Sequence, residues 1–134
     1  MNRKSAILWL KKAYHDLGSA QILYEADHYI DSIGVDLHYA IEKLFKTFLA
    51  YDNRKILKTH DLHLLRIEIE EYIKFNDEEI KIINKATDYH IEESYPQYDR
   101  SLPPREEIEV VLKFAEYLFD KICNILNVTK SELI

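Results

Sequence analysis

Ala40-Ile41-Glu42-Lys43-Leu44-Phe45-Lys46 reads as the middle of a helix. Its apolar residues extend a three- and four-residue spacing that starts at Ile33 and Leu37 and runs on to Phe48. That spacing places Ile33, Leu37, Ala40, Ile41, Leu44, Phe45 and Phe48 on one face of a helix spanning about 32–51. Upstream, Trp9, Ala13, Leu17, Ala20 and Tyr24 repeat the same steps and define a first helix over about 4–26. The polar linker 27–31 between them is short, so the two long amphipathic helices should pack antiparallel.

Downstream of the second helix, residues 52–59 form a polar, basic loop. A shorter third helix then turns Leu62, Leu65, Ile69, Tyr72 and Ile73 inward. Asn76, with Glu79 three residues later, is the capping pattern that opens a fourth helix, in which Ile80, Ile83 and Thr87 face the core. Residues 90–103 show no sustained period, contain Pro96 and sit in a tyrosine-rich stretch with Tyr89, Tyr95 and Tyr98. Pro104 at a first helical position, followed by Glu106 and Glu107, starts a fifth helix that uses Ile108, Val111, Ala115, Leu118, Ile122 and Ile125. The expectation is one all-α domain over residues 1–127, a five-helix bundle, with a C-terminal tail at 128–134.

Composition agrees with that reading. Only two glycines and three prolines stand among 134 residues that are 47% hydrophobic, which favours helices over an all-β chain. The lone cysteine, Cys123, can form no internal disulfide and lies on the apolar face of the last helix as core packing. Lys11, Lys12 and His15 interrupt any apolar signal segment, and no run approaches the roughly 18 apolar residues of a membrane span. A cytoplasmic protein with no membrane partner is therefore expected.

The formal net charge is −6, which argues against non-specific nucleic-acid binding by the whole surface; no DNA partner is expected. The charge is uneven, however. Residues 43–66 carry six Lys/Arg against two Asp, a net +4 that leaves −10 for the remainder. Such a window is either a solvated helix end or a local anion site on an acidic body.

Four segments, taken in order, resemble the HEPN family of small helical nucleotide-binding domains. Ala6, Trp9, Ala13, Asp16, Leu17 and Ala20 are similar to its first helix, and Ala40-Ile41-Glu42-Lys43-x2-Lys46 to the AxEKxxK core of its second. Lys58-Thr59-His60-Asp61-Leu62-x2-Leu65 resembles its KTHDLxxL lead-in to the third helix. Tyr89-x5-Tyr95-Pro96, followed by Arg105-Glu106-Glu107, resembles a late segment that usually reads RYP. Ser94 stands where the family commonly has arginine, and the late Arg-x(4–6)-His motif of the ribonuclease members does not occur; His90 has no arginine at that spacing. The resemblance implies a homodimer acting with a separate minimal nucleotidyltransferase, as in toxin–antitoxin-like pairs. It also implies binding of nucleotide or RNA phosphate through Lys43, Lys46, Arg54, Lys58, His60 and Asp61, without a cofactor.

Arg54-x5-His60 carries the Arg/His spacing in a different place. Metal-independent RNA cleavage needs a base for the 2′-hydroxyl proton and a cation for the phosphorane, and histidine and arginine suit those roles. On this reading Asp61 orients the imidazole, Lys55 and Lys58 steer the backbone, and the protein is an endoribonuclease toxin. Alternatively His60 serves only the turn, and the domain is a dimerisation module without ligand. Glu25-x2-His28 lacks the second Glu-x2-His pair of a di-iron bundle, and His60-x2-His63 lacks a nearby third ligand, so no metal site is expected.

Overall fold

The computed structural model describes the backbone of residues 1–94 and 102–134 and the side chains of 1–90 and 102–134. Tyr95, Pro96 and Tyr98 lie outside the described residues, as does the side chain of Ser94. Helix α1 spans Arg3–Glu25, α2 Ile30–Tyr51, α3 Leu62–Glu68, α4 Asp77–Ser94 and α5 Arg105–Leu126. A short 3₁₀ turn, Lys130–Leu133, follows, and the described residues contain no strand.

The periodic positions of α2 are the centre of the molecule. Ile33, Leu37, Ala40, Ile41, Leu44, Phe45 and Phe48 are all fully buried, as the spacing requires. Helix α1 lies antiparallel against them: the Asn2 N–H donates to the Tyr51 carbonyl (2.7 Å), so the start of α1 meets the end of α2. Ala6, Leu10, Ala13, Leu17 and Ala20 form its buried stripe. Trp9, expected on that stripe, is not among the buried residues, and Leu10 takes the core position instead. Helices α4 and α5 pack on other sides of α2, and α3 bridges α2 and α4.

Ends of helices follow local chemistry. Asn2 caps α1 by accepting from the Ser5 N–H. Asp61 caps α3 by accepting from the His63 and Leu64 N–H groups. Asn76 and Glu79 form the reciprocal pair read from the sequence, at 3.0 and 2.9 Å. Pro104 is the residue before α5 rather than its first residue, with extended backbone at φ −68° and ψ 154°. The third helix ends at Glu68, sooner than its apolar pattern suggests, yet Ile69 and Ile73 remain buried in the turn beyond it. After Asn127, which closes α5 in the left-handed conformation, the chain folds back. Leu133 is fully buried, and the Arg3 guanidinium holds the Asn127 carbonyl and the Glu132 carboxylate.

Gly34 sets the approach of α4 to α2. A methyl group at that position would meet the Tyr89 ring at 3.4 Å, already full contact, so anything longer would displace the ring. Tyr89 itself is buried within α4, not in an irregular segment, and its hydroxyl donates to Glu107 at the start of α5.

Cys123 is buried on α5. Burial, with the Asp120 charge behind it, pushes the thiol up to about 11 from an ordinary 9. At pH 8 this leaves about a hundredfold less thiolate than in the unfolded chain. Iodoacetamide should therefore label the native protein about a hundredfold more slowly than the urea-unfolded one; equal rates would place Cys123 at the surface.

Candidate functional site

Successive turns of α2 present His38, Glu42 and Lys46 in one row, four residues apart. All three are buried, which is unusual for charged groups and demands partners. They find them in each other. The Lys46 ammonium donates to Glu42 Oε2 at 3.2 Å, and His38 Nε2 lies 3.2 Å from Glu42 Oε1. His38 Nδ1 is 2.8 Å from the Ala86 carbonyl of α4.

His60 reaches the same carboxylate from the loop, its Nδ1 2.6 Å from Glu42 Oε1. Three local contacts aim it. The Asp61 N–H donates to Thr59 Oγ1, the Asp61 carboxylate caps α3, and the Leu62 N–H donates to Thr87 Oγ1 on α4. The His60 side chain remains half exposed (52%), whereas that of Glu42 is 6% exposed. Burial alone would raise the Glu42 carboxyl, but the hydrogen bonds to His38 and His60 and the Lys46 charge outweigh it and hold the group down at about 2. Glu42 is thus an ionised carboxylate inside the bundle, with one imidazole leading from it to solvent.

A third histidine completes the cluster. His90 on α4 stacks on His60 with ring centroids 3.9 Å apart and lies 4.9 Å from His38. Its pKa is lowered, first by burial and then by the charges of His60 and His38. Tyr39 flanks the group, 5.6 Å from His90 and 6.4 Å from His60.

Residues 6–126 match the model of the HEPN domain. The chain belongs to the HEPN family. Its fold is also that of TT1696 from Thermus thermophilus, whose crystal structure is similar at a TM-score of 0.75 with 20% sequence identity. That likeness covers 93% of this chain and 99% of TT1696, and at such identity it concerns the fold. No curated protein sequence matches the chain.

Within this HEPN domain the residues singled out by sequence fall into two groups. His60 and Lys46 both meet Glu42, and Lys58 is exposed two residues before His60. The others have partners elsewhere. Lys43 pairs with Asp16 and lies over the Tyr39 ring. Arg54 donates to the carbonyl and carboxylate of Glu68 at 2.8 and 2.6 Å, with Glu71 at 3.9 Å. Asp61 spends its carboxylate on the α3 cap and does not orient His60; Glu42 does. His63 faces Arg66, not His60.

Sequence reasoning did not single out His38, and it set His90 aside for want of an arginine. His38 sits between Leu37 and Ile41 on a stripe read as core. The signal available was its four-residue step to Glu42, which puts a histidine and a carboxylate on one buried face. Helix α4, running on to Ser94 through a stretch without apolar period, then brings His90 to that face.

Proposed function

We propose that this HEPN domain binds the phosphate of a nucleotide or of single-stranded RNA where the basic loop meets His60, and that it does so alongside a separate nucleotidyltransferase. The observation that carries the reading is the half-exposed His60 fixed by the buried, ionised Glu42 at the end of a basic loop in an otherwise acidic chain. Lys55 and Lys58 are exposed on that loop and suit the role of phosphate contacts. Lys43, Lys46 and Arg54 are already neutralised by Asp16, Glu42 and Glu68, so a phosphate would have to displace those carboxylates to use them. The nucleotidyltransferase and a second copy of the chain enter from the family resemblance.

The Glu42–His60 pair also favours a second reading, a ribonuclease in which His60 is the base and Glu42 its orienting group. Against it stands Arg54, whose guanidinium is committed to Glu68 and so is not offered to a phosphorane.

One experiment separates the two. Binding of a fluorescent single-stranded RNA is measured against salt, with EDTA present, for the wild type and for a Lys55→Ala/Lys58→Ala double variant. Wild-type affinity should fall steeply with salt, and the variant should flatten the log–log slope by about 1.4, near 0.7 for each lost phosphate contact. The RNA should stay intact. Salt-independent binding, or none to RNA or nucleotide, overturns the phosphate reading. Cleavage by the wild type that disappears in His60→Ala would establish the ribonuclease.

A further inference from the structure

We propose that His38, His60 and His90 form a binding site for a divalent transition-metal ion of the zinc class. Residues from two helices and a loop converge here, and each histidine offers a nitrogen that lies within 4.8 Å of the other two. Three nitrogens on one zinc, each at about 2.0–2.1 Å, stand about 3.4 Å apart in tetrahedral geometry. The gap to be closed is thus at most about 1.4 Å, and because a metal lies in the plane of each imidazole that binds it, the half-exposed His60 must also turn out of its stack on His90.

The hydrogen bonds around the trio have the pattern of a metal site's supporting groups. A carbonyl only accepts, so the Ala86 carbonyl fixes a proton on His38 Nδ1, and Nε2 is the nitrogen on the Glu42 side of the ring. The Glu42 carboxylate likewise takes the Nδ1 proton of His60 and leaves its Nε2 with a lone pair. One imidazole oriented by a backbone carbonyl and another by a carboxylate is how proteins prepare histidines for a cation.

Two further observations call for positive charge at this place. His38 Nε2 is 3.2 Å from Glu42 Oε1 and Nδ1 is 2.8 Å from the Ala86 carbonyl, so both ring nitrogens face acceptors while a neutral imidazole has one N–H to give. Either a second proton on His38 or a metal ion relieves that contact. His90 Nδ1 is buried and, among the described residues, has no hydrogen-bond partner. A second proton on His38 does nothing for that orphan, whereas a shared cation can engage all three rings. Imidazole donors suit Zn²⁺, Co²⁺, Ni²⁺ and Cu²⁺ and exclude Mg²⁺ and Ca²⁺, which take oxygen ligands. The site does not rest on the phosphate-binding reading, because a metal is held or not whether or not RNA binds.

The test is a Zn²⁺ titration of the EDTA-treated, desalted full chain in competition with a chromophoric chelator, repeated with Co²⁺ to read its visible spectrum. One equivalent per chain should bind, with a Co²⁺ spectrum of low-symmetry coordination. His90→Gln and His60→Gln should each weaken binding by at least about tenfold. His63→Gln, one turn from His60 but turned to Arg66, should leave it unchanged. Helical circular dichroism checks that each variant is folded, and His60→Gln, altering a half-exposed ring, serves if His90→Gln is not. Absence of stoichiometric binding by the wild type overturns the proposal. So does wild-type affinity in a folded His60→Gln or His90→Gln, or a loss confined to His63→Gln.

Discussion

Glu42→Ala should destabilise the domain by about 3–5 kcal/mol, the range for breaking a buried ion pair from one side. The variant leaves the Lys46 ammonium, itself 6% exposed, without its counter-ion inside the bundle. His38 and His60 lose their shared acceptor at the same time. Substituting Glu42 and Lys46 together with Leu and Met should cost far less than Glu42→Ala alone, because no charge is then stranded. Urea unfolding at neutral pH in EDTA, followed by helical circular dichroism, reads both values. A loss below about 1 kcal/mol in Glu42→Ala would mean that Lys46 reaches water and that the carboxylate is not holding it.

A loss of similar size should follow from Phe45→Ala, at about 3–5 kcal/mol. Phe45 is fully buried on α2, and its ring lies 5.7 Å from that of Phe75, which in turn lies 6.0 Å from Phe114 on α5. Both separations suit tilted and edge-on aromatic packing, so the truncation removes an aromatic contact as well as buried area. It also leaves a cavity where α2, α5 and the turn before α4 meet. Phe45→Leu fills most of that volume and should cost under about 1.5 kcal/mol. The urea midpoint should move with little change in slope, since the surface exposed on unfolding is nearly the same. Equal stabilities for Phe45→Ala and Phe45→Leu would show that the three rings are not close-packed.

The α2 stripe and the Asn76–Glu79 cap were legible in the sequence because each depends on neighbours three or four residues away. The ordered set of short motifs gave the family for the same reason. The histidine cluster was not legible, because its members come from α2, the loop before α3 and the far end of α4. No local spacing encodes their meeting. Local spacing was misleading at Arg54 and Asp61, which look like companions of His60 but are drawn into α3, one by Glu68 and one by the helix's own N–H groups. His60 was found only because it stands in a recognisable lead-in, and its true orienting group, Glu42, lay eighteen residues earlier.

Gly34 stands one turn before His38 and carries no side chain, yet it acts as the gauge of the cluster. Its missing side chain lets Tyr89 seat against α2, and Tyr89 is the residue before His90. The spacing of the two helices thereby admits nothing larger than a methyl group at a position one turn upstream of His38. A bundle with the same three histidines but a valine or leucine at that place would hold α4 farther out and leave His90 short of its companions. In this architecture the tolerance of the site is machined into a residue that has nothing to offer a ligand.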